Sequence, residues 1–398
     1  TFVISTVASC TFYYLGWLRN CVVETETIQA PENTRNKCEK LYRSSENTPF
    51  MNPESRDLDL RKGDVERPHF EAVTTLSDSQ AIRSVDFHPN GKLYAVGSNS
   101  KTFRICQYPA LSKLRHGHQA AVYPPSVLCK RTKHHRGSIY CTCWSRDGEL
   151  IATGSNDKTI KYMRFNNDTN QLVGHEMELN MHDGTVRDMC FLDDSSTKSR
   201  LLASGGAGDC KIYITDCGTG TPFQAYSGHT GHILSLYSWN NAMFVSGSQD
   251  QTIRFWDLRV NVSVNTLDND RKDGGLESSA VTAVCVDPTG RLLVSGHADS
   301  SCTLYDIRGN RPIQRFYPHT AEIRCVRFSP SAYYMLTCSY DNSIRLTDLQ
   351  GDLAHELSSV VVAEHKDKAI TIRWHPTEFS FISTSADKTA TLWALPPS

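Results

Sequence analysis

Apolar positions from about residue 69 onward come in short runs, set apart by small and polar residues. The clearest pair of runs is Phe244 to Arg259, FVSGSQDQTIRFWDLR. Phe244 and Val245 lead into Ser246-Gly247-Ser248. Gln249-Asp250 turn the chain, and Ile253, Phe255 and Trp256 carry it back as far as Asp257. β-Branched and aromatic residues bounded by small turn formers predict a hairpin of two strands.

The hairpin recurs. Its turn position is held by Ser100, Asp157, Asp209, Asp250, Asp299, Asp341 and Asp387. Upstream lies a further strand, as in SVDFHPNG from Ser84, CTCWSRDG from Cys141, AVCVDPTG from Ala283, RCVRFSP from Arg324 and TIRWHP from Thr371. A spacing of roughly forty to sixty residues predicts a repeat architecture. Four-stranded sheets repeated radially protect their edges, which predicts an all-β, seven-bladed β-propeller over residues 68–398. Its blades fall near 77–134, 135–181, 182–228, 229–276, 277–318, 319–364 and 365–395. The last repeat stops at Leu395, after its third strand, whereas FEAVTTL (Phe70–Leu76) stands as an orphan strand before the first. Residues 70–76 are therefore expected to close the ring as the outer strand of the last blade.

The residues that carry this pattern resemble the WD-repeat family. The dipeptide itself survives only as Trp256-Asp257, with weaker forms at Thr215-Asp216, Tyr305-Asp306 and Thr347-Asp348. In that family a His before the first strand, a hydroxyl in the second, the turn Asp and a Trp in the third form a buried hydrogen-bonded set. The resemblance places two full sets here, His229, Ser246, Asp250 and Trp256, then His365, Ser383, Asp387 and Trp393. A third, His135, Thr153 and Asp157, has Met163 in place of the Trp. The first repeat carries Asp78, Val96, Ser100 and Cys106 at these positions, so its set reads as absent. Elementary chemistry supports the same roles. A buried turn carboxylate must be paired, and a neighbouring imidazole and hydroxyl can pair it. Because the set recurs without a Gly-x-Ser-x-Gly elbow, it reads as a structural staple and not as a hydrolase triad.

Composition narrows the function. Net charge is −1 over 398 residues, which argues against a dedicated nucleic-acid binder. The 14 cysteines are scattered through strand patterns, so they read as reduced, buried thiols, without a disulfide framework or zinc site. No phosphate loop, metal-ligand spacing or acid–base pair outside the staples is present. The chain is expected to be no enzyme and to need no cofactor, metal or small-molecule substrate. Residues 1–67 read as a disordered or non-native segment: Arg19 to Arg67 is polar and aperiodic. Thr1 to Leu18 is uncharged, but Thr6, Ser9, Cys10 and Thr11 dilute it and no cationic stretch precedes it, so a membrane span is not expected. A start at Thr and not Met reads as a missing true N-terminus.

Candidate binding residues lie where the repeat dictates nothing. The second residue of each innermost strand should ring the channel mouth: Arg83, Tyr140, Arg187, Leu234, Thr282, Arg324 and Ile370. With Gln249 and Tyr340 from the turns, and with Arg259, these give a candidate partner-binding rim. It should engage an acidic or mixed peptide, unless its arginines pair internally with acids such as Asp188. A second candidate is a basic patch at Lys130, Arg131, Lys133 and Arg136, within a segment that also holds Lys113, Arg115, His116, His118, His134 and His135.

Distinctive segments, among them KHHRGSIYC from Lys133, MHDGTVRD from Met181, DSSCTLYDIRG from Asp299 and EHKDK from Glu364, resemble the C-terminal propellers of neuronal microtubule-associated WD-repeat proteins. That resemblance implies a cytoplasmic scaffold on the microtubule cytoskeleton with a role in neurogenesis. It also implies partners among microtubule-associated proteins, including minus-end-binding ones. The alternative is a substrate receptor of a cullin-RING ubiquitin ligase, whose pattern the run from Trp256-Asp257 through Leu258-Arg259 fits.

Overall fold

The computed structural model describes residues 69–111, 122–194, 199–239, 242–268, 279–350, 353, 355 and 357–395. The expectations for residues 1–67, and for Lys113, Arg115, His116 and His118, lie outside them. No described helix is long and apolar enough to cross a membrane.

The strands form seven four-stranded antiparallel sheets. Each innermost strand opens on a fully buried residue: Ile82, Ile139, Val186, Ile233, Val281, Ile323 or Ala369. The small residues of the second strands exist for these side chains. A Cβ on Gly247 would meet Val281 Cγ1 at 2.6 Å, and one on Gly296 would meet Ile323 Cγ2 at 2.5 Å. Both neighbours belong to the following blade, so only glycine lets adjacent sheets approach this closely. In the sixth blade Cys338 takes the glycine's place, and the residue facing it is the smaller Ala369, in the same core cluster. Volume is thus conserved across the blade boundary.

Neighbouring innermost strands are stitched by side chains. Trp144 N donates to Asp86 Oδ2 at 2.9 Å, Leu236 N to Asp188 Oδ2 at 2.8 Å, and Thr371 Oγ1 to the Arg83 carbonyl at 2.8 Å. The last of these joins the seventh blade to the first.

The strand Glu71–Ser77 pairs antiparallel with Thr389–Ala394, from Glu71 opposite Ala394 to Ser77 opposite Thr389. It therefore lies in the sheet of the chain's last three strands. Phe70 packs edge-on against Phe381 at 5.0 Å, and Val73 and Leu76 are buried beside Ile382 and Leu392. Its other edge is covered as well: Thr75 N donates to the Tyr123 carbonyl at 3.0 Å. That second contact has no signal in the repeat pattern.

Candidate functional site

The turn acids are the most repetitive polar feature, and their partners divide by blade. In the fourth blade Trp256 Nε1 donates to Ser246 Oγ at 2.8 Å. Ser246 Oγ lies 2.6 Å from His229 Nε2, and His229 Nδ1 lies 2.8 Å from Asp250 Oδ2. A carboxylate only accepts, so Nδ1 carries the proton and Nε2 accepts from the serine. Asp250 also accepts from Thr252 Oγ1, Thr252 N and Thr230 N. Burial raises its pKa, but these bonds, with His229 first, outweigh burial and hold it far below the carboxylate range. The seventh blade repeats the chain of bonds: Trp393 to Ser383 at 2.7 Å, Ser383 to His365 at 2.6 Å, and His365 to Asp387 at 3.0 Å. Ser246 and Ser383 are fully buried, so neither hydroxyl can meet a substrate.

The other blades replace members. In the second, His135 Nε2 and His134 Nε2 both reach Thr153 Oγ1, at 2.9 and 3.0 Å, so His134 takes the role of the missing Trp. His135 Nδ1 lies 3.3 Å from Asp157. The sixth uses His319 with Asp341 at 2.9 Å and Thr337 at 2.8 Å. In the third, Asp209 bonds Tyr213, while His182 holds Ser204 at 2.9 Å. In the fifth, Asp299 pairs with Arg315, and His297, from inside the sheet, bonds Ser295 at 2.9 Å. The first blade corrects the expectation of an absent set. Asp78 forms a buried ion pair with Arg104 and accepts from Ser98 Oγ at 2.9 Å. Burial raises the Asp78 pKa, but the bonds from Arg104, Ser100 and Ser98 bring it down to about 2.

Two substitutions leave a cost. Thr215 and Thr347 stand where Trp256 stands in its blade, and both hydroxyls are buried without a hydrogen-bond partner. Thr347→Val removes such a group at nearly constant shape. It should leave the urea midpoint unchanged or raise it, by up to about 1–3 kcal/mol in unfolding free energy.

The acids and histidines also set the pH response. Burial lowers His134 to about 3, and His182 and His297 to about 4. The unfolded chain protonates these rings near pH 6.5, the native chain only well below, so their contribution to stability falls as pH drops from about 6.5 towards 4. Asp78 and Asp157, held down to about 2, add a second loss below about pH 4. Urea unfolding across pH 3–8 should therefore show stability falling in two steps on the acid side.

The channel mouth gathers the residues the repeat leaves free. Arg83, Tyr140, Arg187, Leu234, Thr282, Arg324 and Ile370 line one cavity of about 60 Å³. Arg83 Cζ lies 4.5 Å and Arg187 Cζ 5.1 Å from the centre of the Tyr140 ring. Arg324 lies 5.3 Å from that of Tyr340, which Lys368 also approaches, at 4.9 Å. Arg83 Nε donates to Asn99 at 2.6 Å, and Arg324 pairs with Glu322 at 2.7 Å. Asp188 does not pair with Arg187. Its oxygens accept from Met189 N at 2.9 Å and Leu236 N at 2.8 Å.

Arg327 and Arg373 line the same cavity and were not among the expected rim residues. The reason is a β-bulge at the second residue of each innermost strand, as between Ile323 and Cys325. The extra residue shifts the alternation of faces, so strict counting by two places Arg327 on the wrong side. Arg373 pairs with Asp86 at 3.2 Å.

Two expected members separate from this site. Gln249 is exposed at the turn on the channel-mouth side, where its N bonds the His232 carbonyl. Arg259 follows the far end of its strand, on the opposite rim, and is paired with Asp257 at 2.6 Å. The basic patch is also smaller than expected. Arg131 is paired with Glu176 at 3.1 Å, and His134 and His135 are buried and shifted towards the neutral form. Lys130, Lys133 and Arg136 remain exposed. Among the described residues no cluster could hold a metal ion, and the cysteines are free thiols.

Comparison with known proteins fits this geometry. The profile of the WD domain, G-beta repeat matches residues 70–106 and 127–162, and that of the nucleolar protein 10-like N-terminal β-propeller matches 185–372. Protein tipD of Dictyostelium discoideum is 25% identical over 57% of this chain and 34% of its own length. Autophagy-related protein 16 of Arabidopsis thaliana is 24% identical over 55% of this chain and 40% of its own. The guanine nucleotide-binding protein subunit beta of Oryza sativa subsp. japonica is 30% identical over 46% and 49%. The matched stretch spans about a third to a half of each of these relatives. The chain is a seven-bladed propeller built from WD40 repeats.

Proposed function

We propose that this propeller is a non-catalytic protein-docking scaffold whose channel-mouth face receives partner proteins. One observation carries the reading: Arg83, Arg187 and Arg324 converge with Tyr140 at one mouth, at positions the staples do not dictate. Arginine and tyrosine are the side chains that anchor interfaces, and a WD40 propeller suits protein partners. The finer reading is a microtubule-associated scaffold of the neuronal cytoplasm that binds microtubule-associated proteins, minus-end-binding ones included. Its support is the resemblance of the segments quoted above to the C-terminal propeller of nemitin. The relatives matched here support the coarser reading only. Co-pelleting with assembled microtubules in neuronal extract, against buffer with purified tubulin alone, tests it. Pelleting that needs the extract is expected, and no pelleting in either arm retires the microtubule reading. Co-purification of a cullin adaptor would favour the ligase alternative instead.

A further inference from the structure

Five guanidinium groups line the mouth and the channel below it: Arg83, Arg187, Arg324, Arg327 and Arg373. Asp188 is the one carboxylate among the lining residues. Asp86 pairs with Arg373 and Glu322 with Arg324, while Arg327 donates to the Val284 and Val326 carbonyls and has the Asp188 charge set against it. Arg83 and Arg187 have no acid partner among the described residues. Arg187 forms no hydrogen bond there either, and its Nε, like that of Arg324, is buried and unpartnered. This imbalance sits in a chain of net charge −1, so it is local. Guanidinium donors left unpaired in a partly desolvated cavity are costly unless an acceptor arrives from outside.

We infer that the mouth is an oxyanion receptor for a phosphorylated side chain of a partner protein. The charge arithmetic selects the ligand. Two uncompensated guanidinium groups face one space, and a phosphate monoester brings about −1.5 to −2 charges at neutral pH, whereas a carboxylate brings one. The planar fork of arginine matches phosphate oxygens in pairs. A space of about 60 Å³ suits one small anionic group. Cofactor-sized ligands need pockets of about 300–1,000 Å³. The Tyr140 ring holds the Arg83 and Arg187 guanidiniums in place by stacking, so their donors are set before the ligand arrives. This inference rests on the docking-face reading above and names what that face recognises.

Isothermal titration of the full chain with O-phosphoserine, inorganic phosphate and acetate at fixed ionic strength tests it. Saturable binding of phosphoserine and phosphate is expected, with acetate at least about tenfold weaker and Arg187→Gln weakening both phosphate ligands at least about tenfold. Arg83→Gln should have the same direction and gives a second variant if Arg187→Gln does not fold. Equal affinity for acetate, or unchanged binding by both folded variants, overturns the proposal. So does binding of free phosphate with exclusion of phosphoserine. Absence of phosphate binding alongside partner capture that depends on the mouth arginines would retire the oxyanion reading and leave the docking face standing.

Discussion

Trp256→Ala should lower the unfolding free energy by about 3–5 kcal/mol. Trp256 is fully buried and stacks at 6.2 Å on Phe244, with Tyr226 tilted against it at 5.2 Å. Truncation leaves a cavity among side chains held by two sheet neighbours, which cannot collapse into it. It also removes the N–H that satisfies Ser246, although His229 still bonds that hydroxyl. Trp256→Phe separates the two losses. It keeps most of the volume and gives up the hydrogen bond, so its cost should be nearer 1–2 kcal/mol. Urea unfolding by fluorescence and circular dichroism measures both. Equal costs would mean that the bond, and not the packing, carries the residue's contribution.

Removal of residues 69–77 should abolish cooperative unfolding altogether. The last blade would lose a whole ladder of strand pairing, and Thr389–Ala394 would become an open edge. Burial of Phe70, Val73 and Leu76 is worth about 1.5–3 kcal/mol each, or about 5–9 kcal/mol together. That is comparable with the entire stability of an ordinary domain, about 5–15 kcal/mol. The loss would also propagate, because Thr371 of the same blade stitches the ring to Arg83 of the first. A chain beginning at Ala81 that melts with the midpoint and steepness of the full chain would contradict this closure.

The propeller itself was legible because its signal is periodic. A buried opening residue, a glycine or other small residue facing the next blade, and a turn acid recur together, and each has one physical cause. What escaped reading is what breaks the period. Arg104 and His134 complete their staples from positions outside the four that define the set, and Tyr213 bonds Asp209 from the position equivalent to Arg104. Tyr123 covers the closing strand from a segment with no counterpart in the other repeats. At the mouth, the second-position residues are legible because they sit at the register shift itself, at a fixed step from the buried opening residue. Arg327 and Arg373 are not legible by alternation, because the bulge shifts the faces of the residues that follow it. Arg259 stands out in the sequence through the run Trp256-Asp257-Leu258-Arg259, but strand direction places it on the rim opposite the mouth.

Partner capture by the two rims of one folded molecule tests the central claim most directly. Affinity purification with mass spectrometry should compare the full chain, the double variant Arg187→Glu/Arg324→Glu and the single variant Arg259→Ala, each first shown to melt cooperatively. The docking-face account predicts that the double variant loses most specific partners while Arg259→Ala keeps them. An unchanged partner set in a folded double variant, or its loss in Arg259→Ala alone, would contradict the account.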